Sequence, residues 1–279
     1  RVWHARRNNE MLTGIILKYL FRMKLKLLFT SAAQRHHKPL TRWMIRQMDA
    51  VVATSARSAA FLKVPCTVIH HGVDLALFHP PVGPDDDIGA TGLPGHFLIG
   101  CFGRVRHQKG TDLFVRAMIE LLPHYPDWTA IICGRATAEH QEFAKALQRD
   151  IDASGLGHRI RFMGEVPDVK VWYRRLSLYV APSRNEGFGL TPLEAMASET
   201  AVIASTAGAY QDMIVPGVTG EIVPAGDYDA LKAALASYLA SPEKTASAGK
   251  AALEHVRSNF ALEKEATALG RVYQSLLDM

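Results

Sequence analysis

Short apolar segments alternate with amphipathic segments along almost the whole chain, and this alternation restricts the fold more than any other feature. The apolar segments are predicted strands, at 26–32, 50–55, 67–72, 97–103, 128–134, 159–164, 176–183, 200–206 and 220–224. The segments between them have helical spacing, as in 111–122, whose apolar residues form one stripe. Strands that are apolar on both faces and separated by helices indicate parallel α/β sheets covered on both sides.

The chain has 279 residues, which predicts about two domains. Residues 79–96 are rich in Pro, Gly and Asp and have no periodicity, so we interpret them as a linker, with residues 85–87 (DDD) as a solvated turn. Residues 1–78 are then half of an ordinary doubly wound domain, and we expect its N-terminal part to be truncated. Residues 97–255 form a complete α/β domain. The sequence leaves open whether the final helix, within 256–279, crosses back to the first domain.

Charge is distributed unevenly along the chain. Residues 1–48 contain eleven Lys and Arg against one acid, Glu10, whereas the remainder contains 21 basic and 26 acidic residues. Lys38, Arg42 and Arg46 are spaced four apart near Trp43, and cations beside bulky apolar residues suit an anionic membrane surface. A solvated helix face is the alternative. No nucleic-acid-reading motif is present, so we expect no nucleic-acid partner.

No stretch of about 20 apolar residues suggests a membrane span. No signal segment precedes a cleavage site, and the first residue is Arg1, so we expect the chain to begin inside a longer protein. The three cysteines are far apart and form no CxxC pair, which indicates small core residues in a reducing compartment. Together these features predict a cytoplasmic protein that is peripheral on the inner face of the cytoplasmic membrane.

A basic loop, RVRHQK, follows the predicted strand 97–103. Gly103 ends the strand, and Arg104 and Lys109 precede a helix that begins near Thr111. Ligands of open parallel sheets bind beyond the carboxyl ends of the strands, and cations beside a helix start suit a phosphate. Lys109 precedes Gly110, so the loop is not a P-loop, whose order is Gly-Lys-Ser/Thr. A solvated basic turn is the alternative.

A second loop, RNEGFGL, follows the predicted strand 176–183 and leads into the helix TPLEAMAS. Thr191 and Glu194 have the spacing of a capping box, with Pro192 at the first helical turn. A cap does not explain Glu186 or the two glycines, Gly187 and Gly189, that flank Phe188. Glycines allow the backbone to approach a ligand closely, and carboxylates accept hydrogen bonds from sugar hydroxyls.

Taken in order and spacing, these motifs resemble the retaining GT-B glycosyltransferases of family 4. The resemblance rests on FGR followed by KG, on RIRFMGEVP, on Glu186 and Glu194 eight residues apart, on HHGVDLALF before the linker, and on AGAYQDMIVPGVTGEIVPAGD. It covers roughly residues 66–240. It implies a GT-B fold, in which two Rossmann-like lobes with parallel sheets flank a cleft.

The resemblance also implies roles for individual residues. Arg104 and Lys109 would hold the diphosphate of a nucleotide-sugar, and Glu186 would bind the donor sugar and serve with them in catalysis. Glu194 would accept from the ribose hydroxyls. The remaining residues implied to bind the nucleotide-sugar are Gly103, Gly134, Glu165, Val166, Gly187, Phe188, Gly189, Leu190 and Thr191. No metal or other cofactor is implied, since Arg and Lys supply the positive charge.

The sequence departs from the family in one place. Members often carry a His-Asp pair after a strand of the first lobe, whereas here the comparable strand leads into FTSAAQRHHK, with His36 and His37 several residues late. His4, beside Arg6 and Arg7, is the candidate for the acceptor cleft. Exposed surface histidines are the alternative at each position.

The N-terminal segments VWHARRNNEM, KLKLLFTSAAQR and MDAVVATSARS most resemble the lipopolysaccharide core mannosyltransferases. That resemblance implies GDP-mannose as donor and a lipid-linked glycan as acceptor. Alternatives are another hexosyltransferase or an epimerase that uses a UDP-sugar, a nucleotide-sugar-binding module without activity, and a membrane-surface binding module without nucleotide affinity.

Overall fold

The structure, a computed structural model, describes residues 1–278 and contains ten strands and eleven α-helices in that range. The strands are β1 (Val2–Ala5), β2 (Lys26–Ser31), β3 (Ala50–Ala53), β4 (Thr67–Val68), β5 (Phe97–Phe102), β6 (Trp128–Cys133), β7 (Ile160–Gly164), β8 (Leu178–Ala181), β9 (Ala201–Ser205) and β10 (Gly220–Val223). The helices are α1 (Asn8–Tyr19), α2 (Pro39–Arg46), α3 (Ala56–Leu62), α4 (Thr111–Leu121), α5 (Gln141–Ala153), α6 (Val169–Arg175), α7 (Thr191–Ala197), α8 (Tyr210–Met213), α9 (Tyr228–Leu239), α10 (Pro242–Asn259) and α11 (Leu262–Asp278). Within residues 1–278, no helix combines the length and the apolar character needed to cross a bilayer.

The chain divides into two compact units. The N-terminal unit contains residues 1–72 together with the segment that begins at Phe260, and the C-terminal unit contains Val73–Asn259. The segment 79–96, predicted as a linker, therefore lies within the C-terminal unit. The final helix, α11, lies within the N-terminal unit.

The N-terminal unit is a parallel sheet in the order β1-β2-β3-β4. One face is covered by α1 to α3, where Met11, Ile45 and Leu62 are buried against the strands. The other face is covered by α11, whose buried Leu276 packs with Leu28 of β2 and its neighbours. Helices on both faces explain why the central strands β2 and β3 are mostly buried and apolar.

The C-terminal unit is a six-stranded parallel sheet in the order β10-β9-β8-β5-β6-β7. Its core is apolar on both faces, and all six residues of β6 are buried. The chain runs from β5 outward to β7 and then returns to add β8 on the other side of β5. The order of strands therefore reverses between β5 and β8, which is the place where open α/β sheets bind ligands.

Two features differ from the sequence-based expectations. Strand β1 was not predicted, because its four residues lie at the start of the chain and no periodic pattern of apolar residues flanks them. The interpretation of residues 85–87 as a solvated turn is wrong for Asp86, whose side chain is only 6% exposed. Asp86 Oδ1 accepts a hydrogen bond from Arg174 Nε at 2.7 Å, and its Oδ2 accepts one from the Val82 N–H at 3.0 Å. This buried ion pair attaches the segment to α6.

Candidate functional site

The two loops that the sequence singled out lie side by side at the point where the strand order reverses. The loop after β5 carries the basic residues, and the loop after β8 carries Glu186. Their backbones touch: Gly110 has φ +71°, and a Cβ atom there would lie 2.0 Å from the carbonyl oxygen of Pro182. Gly110 is therefore needed for the close approach of the loops.

A small cleft at this junction brings together several of the predicted donor-binding residues. Gly103, Arg104, Lys109 and Thr191 all line it. Lys109 Nζ donates a hydrogen bond to Glu186 Oε2, so the ammonium and the carboxylate form an ion pair across the two loops. The cleft thus has two cationic side chains and one carboxylate beside it.

Arg184 holds the two loops in this arrangement. Its Nη1 and Nη2 donate to the two carboxylate oxygens of Asp112, each at 2.7 Å, and its backbone N–H donates to the Gln108 carbonyl at 2.8 Å. A bidentate arginine–carboxylate pair fixes orientation as well as distance. The basic loop, the start of α4 and the loop after β8 are consequently tied to one another.

A second cavity, of about 360 Å³, lies next to this cleft and shares Phe102, Gly103 and Thr191 with it. It is lined also by four further residues that the sequence predicted to bind the nucleotide, Gly134, Glu165, Val166 and Glu194. Gly134 has φ +129°, and a Cβ atom there would lie 2.0 Å from the Gly103 carbonyl oxygen. Only glycine lets the loop after β6 contact the loop after β5 in this way.

Glu194 does not cap α7, so the predicted capping box is wrong. The helix begins at Thr191 with Leu190 as its N-cap, and no side chain makes a cap hydrogen bond. Instead, Glu194 Oε2 accepts a hydrogen bond from the Tyr173 hydroxyl at 2.8 Å. Burial raises the pKa of Glu194, and the hydrogen bond from Tyr173 lowers it in part. The carboxylate is therefore aimed at the cavity and held by a buried phenol.

The turn that precedes α7 is packed against α8. Phe188 is buried, and its carbonyl oxygen accepts the Ala209 N–H at 3.0 Å. Gly189 has φ +86°, and a Cβ atom there would lie 2.4 Å from the ring of Tyr210. The Gly187 N–H donates to Glu186 Oε1 at 3.1 Å, whereas Leu190 is 41% exposed. None of these four residues lines the two cavities, so their predicted contacts with the donor stay predictions.

The acceptor candidates belong to the N-terminal unit. His4 is half-buried, which contradicts the exposed alternative: Nδ1 pairs with the Tyr273 hydroxyl and Nε2 with Thr30 Oγ1, each at 2.7 Å. Burial, and then the Arg6 charge, lower its pKa. Arg6 lines a cavity of this unit, and Arg7 is exposed at the start of α1. Because both ring nitrogens of His4 have intramolecular partners, His4 joins β1, β2 and α11.

Sequence reasoning missed Tyr173, Arg184 and Tyr210, which support the predicted site residues. Tyr173 is 1% exposed and lies on the short helix α6, 21 residues before its partner Glu194. Such pairings have no periodicity in the sequence. The local signal that was available is the bulky polar ring itself, since a buried Tyr hydroxyl usually has a hydrogen-bond partner.

Comparisons with known proteins agree with this geometry. Residues 86–255 match the family model described as "Glycosyl transferases group 1". The chain is 68% identical over 277 residues to the lipopolysaccharide core biosynthesis mannosyltransferase LpcC of Rhizobium leguminosarum bv. viciae, covering 99% of this chain and 79% of that protein. It is 50% identical over 280 residues to the corresponding enzyme LpsB of Rhizobium meliloti (strain 1021), covering 99% and 80%.

Among solved structures, Anabaena Alr3699/HepE in complex with UDP and glucose superposes with a TM-score of 0.85 at 23% identity, covering 98% of this chain and 78% of that chain. At this identity the likeness concerns the fold, which is the α/β GT-B fold with parallel sheets. The match to the family model includes both loops of the cleft. The chain therefore belongs to the group 1 glycosyl transferases and is a glycosyltransferase of GT-B fold, similar over nearly its whole length to lipopolysaccharide core mannosyltransferases.

Proposed function

We propose that the chain is a retaining mannosyltransferase of family 4 that moves mannose from GDP-mannose onto a lipid-linked glycan during synthesis of the lipopolysaccharide core. The observation that carries the proposal is the junction of the two loops, where Arg104 and Lys109 line one cleft and Glu186 pairs with Lys109. The identity to LpcC and LpsB, which are named as mannosyltransferases of that core, supports the choice of sugar and pathway.

The cationic side chains suit the diphosphate. Arg104 is exposed at the mouth of the cleft, and the guanidinium group presents several donors in a plane that matches phosphate oxygens. Lys109 has three ammonium donors, so it can keep Glu186 as a partner while it donates to a phosphate. The amides of Leu190 and Thr191 are the further donors in the proposal. No metal is required, because these groups supply the positive charge.

The adjoining cavity suits the nucleoside. Its volume of about 360 Å³ lies within the range of small-molecule sites, and its walls are largely apolar. Glu194 is an acceptor-only group when ionised and matches the vicinal hydroxyls of a ribose. Tyr173 donates to one of its carboxylate oxygens, which leaves the other available to the ligand. The backbone near Glu165 and Val166 would contact the base.

In the proposed reaction the bond from C1 of mannose to the diphosphate breaks, and a bond from C1 to the acceptor oxygen forms on the same face. The acceptor hydroxyl loses its proton to the departing phosphate. The electron pair of the broken C1–O bond leaves with the diphosphate, so negative charge develops on this leaving group. Arg104 and Lys109 stabilise that charge more in the transition state than in the bound donor. Glu186 orients the mannose through its hydroxyls, and Lys109 orients Glu186.

Peripheral binding to an anionic membrane, on the cytoplasmic face, is part of the same proposal. Arg42 and Arg46 are exposed on α2, beside Leu40 and Trp43, which are 66% and 47% exposed. Exposed apolar side chains next to cations suit lipid headgroups, at about 1 kcal/mol for each cation. Lys38 does not belong to the predicted helical stripe, because it precedes α2 as its N-cap.

The test is calorimetric titration of the protein with GDP-mannose, UDP-glucose and UDP-N-acetylglucosamine. We expect GDP-mannose to bind most tightly. Arg104→Ala removes a charged hydrogen bond to phosphate and should weaken that binding about 10- to 100-fold. Arg149→Ala is the matched control, since Arg149 is also exposed in the C-terminal unit and lies outside both cavities.

Glu186→Gln tests the catalytic part of the proposal. It keeps the size of the side chain but removes the charge that pairs with Lys109. We expect transfer of mannose to an extracted core glycolipid to fall at least about 100-fold, because orientation at the reacting carbon is lost. Transfer at near the wild-type rate would remove Glu186 from the mechanism, and tighter binding of a UDP-sugar would refute the proposed donor.

A further inference from the structure

The N-terminal unit contains a cavity of about 580 Å³ beyond the carboxyl end of β2. It is formed by the last residues of β2, by the segment that follows them and by the starts of α1 and α2. The lining residues are Arg6, Asn8, Phe29, Ser31, Ala32, Ala33, Arg35, His36, His37, Lys38 and Thr41. Its position is the end of a parallel sheet at which ligands bind.

The charge of this cavity is entirely positive. Arg6, Arg35 and Lys38 line it, and no acidic residue does. Within residues 1–278, the side chains of Arg35 and Lys38 have no ion-pair partner. The nearby Glu10 is already engaged, because its Oε2 accepts the backbone N–H groups of Arg6 and Arg7 at 2.7 and 3.2 Å. Arg35 and Lys38 are therefore not paired with a carboxylate of the residues that the structure describes, whereas the charge of Arg6 also acts on Glu265.

His37 adds a polar atom that has no partner. Its Nε2 is buried and makes no hydrogen bond with any residue that the structure describes. Buried polar atoms normally have a partner, and exceptions call for an explanation. A ligand that accepts hydrogen bonds would supply one for an Nε2–H group.

The walls of the cavity are held in place by polar contacts between elements. Asn8 Nδ2 donates to the buried Thr41 Oγ1 at 3.0 Å and so joins the first turns of α1 and α2. Ser31 Oγ accepts the Ala33 N–H at 3.3 Å, which turns the chain away from β2 and into the segment that carries Arg35. Two helix starts and the end of a strand thus converge around the cations.

We propose that this cavity binds an anionic group of the sugar acceptor, a phosphate or a carboxylate, through Arg35, Lys38 and His37. The inference rests on the proposed function for the identity of the ligand as an acceptor. Arg35 can donate to two anionic oxygens at once, Lys38 contributes a point charge, and His37 donates from Nε2. An acceptor that carries no negative group in this position binds weakly.

The test uses full-length protein labelled with ¹⁵N-histidine and three probes, which are inorganic phosphate, glucuronate and the neutral methyl glucoside. The ionic strength is kept constant, because exposed charges are screened by salt. We expect the His37 ring signals, assigned with His37→Gln, to shift with phosphate or with glucuronate and not with the glucoside. Tighter binding of phosphate identifies a phosphorylated acceptor, and tighter binding of glucuronate identifies an acidic sugar.

Arg35→Ala and Lys38→Ala should each weaken the binding of the anion about tenfold, since each removes a charged hydrogen bond. Arg271→Ala is the matched control: Arg271 is exposed on α11 of the same unit and lies outside the cavity, so its change should stay within about twofold. The proposal is overturned if neither anion shifts the His37 signals, or if Arg271→Ala weakens binding as much as Arg35→Ala does.

This experiment is independent of the donor site. Binding of the probes is read at His37 in the N-terminal unit, whereas binding of GDP-mannose is measured by calorimetry with variants of the C-terminal unit. Failure of donor binding with intact probe binding would refute the proposed function alone. Intact donor binding without probe binding would refute the anion site alone.

Discussion

Removal of the Tyr173 hydroxyl tests whether Glu194 is held as an ionised, hydrogen-bonded carboxylate. In Tyr173→Phe the ring remains, so the packing against Phe102 and Tyr179, at 4.8 and 5.6 Å between ring centroids, is retained. Only the 2.8 Å hydrogen bond to Glu194 is lost. Glu194 then keeps its burial without a donor.

The expected cost depends on pH. A hydrogen bond to a charged group contributes about 1.5–3 kcal/mol, and one between neutral groups about 0.5–1.5 kcal/mol. Burial raises the pKa of Glu194 above its ordinary value of 4.5. Between pH 4.5 and the raised pKa, the folded wild type therefore binds more protons than the unfolded chain, and its stability falls as pH rises through that range. Without the hydroxyl the pKa rises further. We therefore expect a loss of about 2 kcal/mol at pH 8 that shrinks to about 1 kcal/mol at pH 4.5.

The assay is urea unfolding at both pH values, followed by the fluorescence of Trp128 and Trp172, the two tryptophans of the C-terminal unit. Tyr179→Phe is the matched control, because its hydroxyl donates at 3.3 Å to the neutral Phe102 carbonyl and its loss should cost the same at both pH values. Equal pH dependence in the two variants would refute the argument for Glu194.

Three further outcomes follow from the structure. The Gly134→Ala variant should no longer bind the nucleotide in calorimetry and should be at least about 2 kcal/mol less stable. The reason is that Gly134 has φ +129° and that the Gly103 carbonyl oxygen leaves no room for a Cβ atom. Unchanged binding would contradict this. Asp86→Asn should cost about 3 kcal/mol in urea unfolding at pH 7, since Arg174 loses its buried partner. Burial alone would raise the pKa of Asp86, but the hydrogen bonds from the Val82 N–H and from Arg174 lower it below 3.8. The free energies of unfolding of the wild type and of Asp86→Asn should therefore converge as pH falls through that lowered pKa. Iodoacetamide at pH 8 should modify only Cys66 in the native protein. Burial raises the pKa of all three thiols, but Cys66 is only partly buried, whereas Cys101 and Cys133 are buried and their pKa is raised to about 12. A second adduct in the mass spectrum would contradict this.

The class of fold could be predicted from the sequence because it depends on local patterns. A run such as Trp128–Cys133 is buried on both faces, and its apolar character alone requires a covered parallel strand. The loops after β5 and β8 could be recognised for the same reason, since glycines and charges that follow such runs lie at the carboxyl ends of the strands. The resemblance to glycosyltransferases followed from the spacing of those loops.

The partners of the individual side chains could not be predicted in this way. Glu194 has the local spacing of a helix cap, yet it bonds to Tyr173, and Asp86 lies in a stretch of turn-forming residues, yet it is buried against Arg174. Short-range rules describe energies among neighbours in sequence, whereas these contacts join residues 21 and 88 positions apart.

By itself, the sequence determined the alternation of strands and helices, and with it the two loops that carry Arg104, Lys109 and Glu186. Only the tertiary structure decided that β8 returns beside β5, that Lys109 pairs with Glu186, and that the cations near Arg35 surround a cavity. The physical reason is that burial and backbone preference depend on each residue and its neighbours in sequence. Strand order and charge pairing depend instead on which distant segments can pack together without leaving polar groups unpaired.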